Sequence, residues 1–244
     1  MALNYDGDIP RHYPAGSAFE FDEEVASIFP DMAKRSIPMY EEVHRLHVSM
    51  LHHRFTEGSV VVDVGSSTGM LFEEMERQSG ARIPDLGIRG VAIDSSAAMV
   101  EKIKQKNFGV YTKVGDISEM DDLPEKADVM CALYVLQFVP VEKKKQAFDW
   151  LVRNTKIGGC IILGQKETPP PDWVTILETG YYSFRRDNGY TQEEIAAKTK
   201  ALQSSMWTST NEWLREGLES RGVLYVETSR WLQFSTYLGV RVYD

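Results

Sequence analysis

The residues best suited to chemistry lie in Val60-Val-Val-Asp63-Val-Gly65-Ser66-Ser67-Thr68-Gly69. A β-branched run closes on an acid and then turns on two glycines. Glycine lets a backbone turn tightly and approach a ligand closely, and the helix predicted to follow offers unpaired N–H groups. The next two predicted strands also close on acids, at Asp94-Ser95 and at Asp116-Ile117. A carboxylate at Asp94 suits two ribose hydroxyls, while Asp116 and Ile117 suit an adenine amino group and its ring. In an open α/β sheet the carboxyl ends of such strands converge on one crevice. Together the three segments predict a nucleoside site. A dinucleotide fingerprint needs glycine where Ser67 and Met70 stand, and a P-loop needs Gly-Lys-Ser/Thr, which this turn lacks.

Positioning these acids requires strands that alternate with helices. Strands are predicted at 59–63, 90–94, 109–114, 128–133 and 159–164, with helical stretches between them, which specifies βαβ units and a parallel sheet. Ahead of them, residues 19–55 read as helices, the first up to Phe29 and the second from Met32 to Phe55 with a break at Pro38. Residues 1–18, with two prolines and two glycines, read as an arm. After Gly164 the rhythm breaks at Thr168-Pro-Pro-Pro-Asp172, and residues 165–208 form a helical excursion placed where a lid would sit. Thr191 with Glu194 and Ser209 with Glu212 have capping-box spacing, each opening a helix. Two closing strands, at about 223–228 and 232–242, suit an antiparallel pair at the sheet edge. The expected fold is α/β, a single domain over 19–244.

Composition narrows the function. The 244 residues carry 43% hydrophobic and 26% charged side chains, which is globular usage. A net charge of -9 argues against a free-standing nucleic-acid binder, so a small-molecule substrate fits better than nucleic acid. Cys131 and Cys160 sit in apolar runs and read as core thiols of a reducing, cytoplasmic compartment. No run reaches the ~20 apolar residues of a membrane helix. His44, His47, His52 and His53 share a predicted helix but lack the acid or thiol that would complete a metal set, so no metal is expected.

The pattern D-x-G-x-x-x-G, then Asp94, then Asp116 resembles the class I S-adenosylmethionine-dependent methyltransferases. That likeness implies a Rossmann-like seven-stranded sheet, mostly parallel with an antiparallel terminal pair, and S-adenosyl-L-methionine as cofactor. A closer likeness lies outside this core. Phe21-Asp22-Glu-Glu-Val25-Ala26-Ser-Ile28-Phe29-Pro30-Asp31-Met32, Arg35-Ser36-Ile37-Pro38-Met-Tyr40, Leu136-Gln137-Phe138 and Asn188-Gly189-Tyr190 are similar to the carboxy-S-adenosylmethionine synthase family, in one register over about 18–240. Members of that family make carboxy-S-adenosylmethionine from S-adenosylmethionine and prephenate, and a partner enzyme uses it on a tRNA wobble uridine. The resemblance implies that Tyr40, the turn Asp63, Gly65, Ser66, Ser67 and Gly69, and then Asp94, Ser95, Asp116, Ile117 and Leu133 hold the nucleoside.

Two positions depart from the family pattern. Thr199 stands where the family has an arginine that reaches the added carboxylate from a neighbouring protomer, and Leu133 replaces an asparagine. Threonine cannot form the bidentate charge-assisted pair, a contact worth ~1.5–3 kcal/mol. Lys200, or the pair Arg185 and Arg186, are candidates to replace it, with Tyr190 beside them. Three readings follow: a methyltransferase diverged from the synthases, a synthase with a rebuilt clamp, and a binding protein without turnover. A homodimer is implied by the family clamp. Methyl transfer needs mainly alignment and exclusion of water, so the absence of an evident catalytic base is consistent with it.

Overall fold

The computed structural model describes residues 19–243; the arm assigned to 1–18 lies outside them. Five parallel strands, β1 (Val60–Val64), β2 (Arg89–Asp94), β3 (Tyr111–Val114), β4 (Ala127–Leu133) and β5 (Thr155–Lys166), are joined by β6 (Val223–Trp231) and β7 (Phe234–Arg241). The sheet order is β3-β2-β1-β4-β5-β7-β6, with β7 antiparallel to both its neighbours. This is the seven-stranded methyltransferase arrangement with its antiparallel terminal pair.

Side chains alternate across each strand, so both faces must be covered. Val61, Val129, Cys131 and Ile162 point to one apolar layer, which holds α2 (Tyr40–Leu51) and α3 (Met70–Ser79). Val60, Val62, Val64, Met130 and Ile161 point to the other, against Phe148, Trp150 and Leu151 of α5 (Lys144–Arg153) and Leu214 and Leu218 of α8 (Asn211–Glu219). Both cysteines are buried and unpaired in the sheet. Among the described residues no helix is long and apolar enough to cross a membrane.

Several boundaries differ from the sequence expectation, each for a physical reason. The first helix, α1 (Glu23–Ser36), runs through Pro30. Its apolar face, Val25, Ala26 and Met32, packs with Met99 of α4 (Ala97–Lys106), and this burial outweighs the one lost backbone bond. The chain breaks where expected, around Pro38, with Ile37 held extended by that proline and Met39 at φ +56. Strand β5 is longer at both ends because Ala127 pairs with Thr155 and because Gln165 and Lys166 pair with Ser235 and Phe234.

The excursion after β5 carries α6 (Val174–Asp187) and α7 (Gln192–Leu202). Thr191 and Glu194 close a full capping box on α7. Ser209 does not cap α8; Thr210 does, its side chain accepting from Trp213 N. Ser209 is drawn away by a backbone bridge to Glu167 and by the Lys144 ammonium, which donates to its hydroxyl at 2.7 Å.

Candidate functional site

Where β1 ends, Gly65, Ser67 and Gly69 have φ of +60, +52 and +84, and the chain coils beneath the N-terminus of α3. Gly65 is required here, since a Cβ would lie 2.4 Å from Val135 Cγ2. The turn is tied across to β2. Ser66 N donates to Ile93 O at 3.0 Å, and Ser67 N donates to Asp94 Oδ2 at 2.8 Å. Ser96 N donates to Asp94 Oδ1 at 2.9 Å, so each oxygen of that buried carboxylate carries one amide and retains a lone pair. Burial pushes the Asp94 carboxyl up, while the Ser96 and Ser67 amides act against the shift.

A cavity of about 990 Å³, counting its open mouth, runs from this turn along the carboxyl edge of the sheet. Its floor includes Gly65, Ser67, Asp94 and Ser95, then Leu133 at the end of β4 and Tyr134 after it, then Lys166 at the end of β5. Met32, Ala33, Ser36 and Tyr40 from α1 and α2 form one wall, and Lys198 and Leu202 of α7 another. Tyr40 and Tyr134 lie 6.3 Å apart between centroids, and burial holds both phenols protonated well above their usual range.

The structure therefore brings Tyr40, Gly65, Ser67, Asp94, Ser95 and Leu133 to one cavity. Other predicted residues stand behind it or away from it. Ser66 and Gly69 shape the turn, and Gly69 N donates to Ser66 O at 2.7 Å. Asp116 Oδ1 accepts from Ser118 N and from its hydroxyl, and Ile117 packs in the sheet's second apolar layer.

In the excursion, Arg186 and Lys200 face solvent. Of the candidate pair only Arg185 turns inward: it is buried with its guanidinium 4.3 Å over the Tyr181 ring. The Thr199 hydroxyl donates to Ile195 O at 2.7 Å and accepts from Arg185 at 3.4 Å. Tyr190 is buried, with its hydroxyl 3.0 Å from Ser36 Oγ.

Lys198 was missed as a cavity residue, although a signal was present. It lies three residues from Ile195 and three from Ala201, both buried, on the inward stripe of α7; Lys200 lies on the opposite face. Of the four histidines on the predicted helix, His44 and His47 are buried and hydrogen-bonded. His44 and His47 each turn Nδ1 to a backbone carbonyl at 2.8 Å, of Tyr40 and of Val43, and burial pushes the His44 ring down to about 4.

Asp63 is enclosed beneath the turn. Burial pushes its carboxyl up to about 7, against a hydrogen bond from the Cys131 thiol, with the nearby Asp94 adding to the rise. The folded protein thus keeps a proton that the unfolded chain releases near pH 4. The stability this carries is full below about pH 4 and is lost as pH rises through about 7. Asp63→Asn cannot ionise, so its melting temperature relative to wild type should rise between pH 5 and pH 8. A difference independent of pH would contradict this assignment.

S-Adenosylmethionine asks of a site an acceptor for the ribose, close backbone approach and a slot for an apolar ring. The half-engaged Asp94 carboxylate and the cradle at Gly65, which a Cβ would fill, fit that demand. The comparisons agree in fold and family. Residues 61–159 match a family model described as a methyltransferase domain. Among solved structures, a plantazolicin methyltransferase aligns with TM-score 0.63 at 11% identity over 88% of each chain. Magnesium protoporphyrin IX methyltransferase from Synechocystis PCC 6803 aligns with TM-score 0.58 at 17% identity, covering 85% of this chain and 86% of that one.

At the sequence level, the carboxy-S-adenosyl-L-methionine synthase of Wolinella succinogenes is 33% identical over 90% of this chain and 92% of its own. That of Nautilia profundicola is 32% identical over 93% and 97%. The chain belongs to the carboxy-S-adenosyl-L-methionine synthase family, transferases of the methyltransferase fold that use S-adenosylmethionine.

Proposed function

We propose that this protein transfers the methyl group of S-adenosylmethionine to a small-molecule acceptor held in the same cavity, having diverged from carboxy-S-adenosylmethionine synthesis. The observation that carries the reading is Thr199. Its hydroxyl is committed to Ile195 O and to Arg185, outside the cavity wall, and it offers no fork for a carboxylated sulfonium. When bound, S-adenosylmethionine supplies an electrophilic methyl on a sulfonium. The protein's part is to hold the nucleoside through Tyr40, the Gly65–Ser67 turn, Asp94 and Ser95, and to exclude water with the aromatic wall of Tyr40, Tyr134 and Phe138. Asp63, Ser66 and Gly69 fix the turn, and Asp116 and Ile117, which follow β3 outside the cavity lining, are assigned to the adenine end by the family resemblance alone.

The reading includes a cytoplasmic enzyme, supported by the two buried, unpaired cysteines. It also includes a homodimer, supported by exposed Trp173 and Ile176 on the excursion, and a lid role for that excursion, supported by the reach of α7 into the cavity wall. A second reading, synthesis of carboxy-S-adenosylmethionine from prephenate in service of tRNA modification, is favoured by the 33% identity to a synthase over nearly the full chain and by two lysines on the cavity wall.

Mass analysis of the nucleosides formed from S-adenosylmethionine, with a cell extract and with or without prephenate, separates these readings. The expected result is S-adenosylhomocysteine together with a methylated acceptor. A prephenate-dependent species heavier than S-adenosylmethionine by one carboxyl group would replace the first reading with the second. Nucleoside binding without turnover in either mixture would leave a binding protein.

A further inference from the structure

Helix α7 is stiff in itself and weakly held by its surroundings. The full capping box at Thr191 and Glu194 fixes its first turn. Its inward residues are Ile195, Lys198 and Ala201, so the buried stripe carries a cation and a single methyl where a core-facing helix carries larger apolar groups. The segments on either side are pinned. Upstream, α6 lies on the hairpin of β6 and β7, with Tyr181 5.1 Å from Phe234 and Phe184 4.9 Å from Trp231 between ring centroids. Downstream, Trp207 N donates to Gln137 O at 2.7 Å, and Thr168 N donates to Ser209 O at 2.9 Å. Between these anchors and the helix lie Asn188-Gly189, with Gly189 at φ +86, and residues 203–206.

One residue of α1 meets both the pinned part and the helix. The Ser36 carbonyl accepts from the Tyr181 hydroxyl of α6 at 2.9 Å. Its Oγ accepts from the Lys198 ammonium of α7 at 2.7 Å and shares a hydrogen bond with the Tyr190 hydroxyl at 3.0 Å. Beside it, Arg35 Nε donates to Asn188 O at 2.7 Å. At the far end of the seam, Phe19 N donates to Ser205 Oγ at 3.1 Å. The seam between α1 and α7 is therefore fastened at its ends by hydrogen bonds, with Ala201 and Leu202 adding a small apolar patch between them. Hydrogen bonds are exchanged for bonds to water at small net cost, whereas parting a broad apolar seam is expensive. Segments fastened in the first way are the ones that open locally.

Lys198 and Leu202 line the cavity from the α7 side, and Met32, Ala33 and Ser36 line it from the α1 side. Separating α7 from α1 widens that cavity. We propose that α7 is a gate hinged at Asn188-Gly189 and at residues 203–206, and that the Ser36 hydroxyl is the clasp that closes it on α1. Ser36 is then a positioning residue: through Lys198 and Tyr190 it sets how fast a ligand enters and leaves. The inference rests on the reading of the cavity as an S-adenosylmethionine site, and it narrows the lid role of the excursion to one helix and one fastening.

The test follows S-adenosylhomocysteine by stopped-flow fluorescence in the full chain, comparing wild type with Ser36→Ala and Tyr190→Phe, and adds hydrogen exchange of the ligand-free proteins. Tyr190 lies outside the cavity lining, so its hydroxyl acts through the clasp alone. A gate controls entry and exit alike, so loosening it raises both rate constants and preserves their ratio. Ser36→Ala should raise the association and dissociation rate constants together by about fivefold to twentyfold, with the dissociation constant within about threefold of wild type. Tyr190→Phe should move both the same way by about twofold to fivefold. In both variants amide exchange should quicken in α7 and not in α6.

A dissociation rate constant that rises alone in Ser36→Ala would mean that Ser36 touches the ligand directly, and would overturn the gate. Unchanged rate constants in both variants, or exchange that quickens equally in α6 and α7, would overturn it as well. If Ser36→Ala fails to fold, Tyr190→Phe carries the same test. Failure of the wild type to bind S-adenosylhomocysteine would strike the transferase reading instead, and exchange in α7 would still decide on the gate.

Discussion

Asp94→Ala is expected to weaken S-adenosylmethionine binding by about a hundredfold or more. The carboxylate sits at the carboxyl end of β2, with one backbone amide already on each oxygen, from Ser67 and from Ser96. Those amides aim the remaining lone pairs and hold the charge in a buried place. Each charge-assisted bond to a ribose hydroxyl contributes ~1.5–3 kcal/mol, and alanine removes both. The same substitution leaves the Ser67 amide without its partner, at a cost of about 1–3 kcal/mol to the folded state. Calorimetric titration measures the first effect and thermal melting the second. Affinity within threefold of wild type would mean that the nucleoside does not rest on Asp94.

Gly65→Ala should be the most damaging single-carbon change in the turn. At φ +60 an L-residue is strained by about 1–2 kcal/mol, and the new Cβ would stand 2.4 Å from Val135 Cγ2, so the neighbour must move at a further cost of about 1–3 kcal/mol. For a chain of this length the two together lower the melting temperature by about 5–15 °C. Gly158→Ala is the matched control: its φ is +79, but nothing lies within 4 Å of the added carbon, so it carries the strain alone. The account requires Gly65→Ala to fall clearly further than Gly158→Ala and to lose nucleoside binding, which Gly158→Ala keeps. Equal drops in the two variants would mean that packing against Val135 contributes nothing.

The strand ends that carry the proposed nucleoside site were legible because local rules state them. A strand buried on both faces reads as an apolar run, and an acid or glycine at its end marks where the chain must leave the sheet. Asp63, Asp94 and Asp116 announced three strand ends in this way, and the sheet followed. The lysine-bearing end was less legible because it depends on tertiary register. Whether Lys198 or Lys200 faces inward turns on the rotation of α7, fixed by Ile195 and Ala201 packing, and whether Arg185 is solvated turns on Tyr181 beneath it.

Caps and strand ends shifted for a similar reason. Ser209 and Thr210 cap equally well in isolation, and only the bridge from Ser209 to Glu167 decides between them. The extension of β5 to Lys166 is owed to a partner strand about 70 residues later, beyond the reach of any local pattern. That extension has a functional consequence, since it delivers Lys166 to the cavity wall.

The central claim is that the carboxyl edge from β2 to β5 forms the proposed S-adenosylmethionine site, with the nucleoside at Asp94. A crystal structure of the protein with S-adenosylhomocysteine tests it most directly. The account predicts ribose hydroxyls within hydrogen-bond distance of the Asp94 carboxylate, the thioether beside Tyr40, and the amino-acid end pointing along the sheet toward Lys166. A nucleoside bound outside this cavity, or inside it with the ribose away from Asp94, would contradict the account.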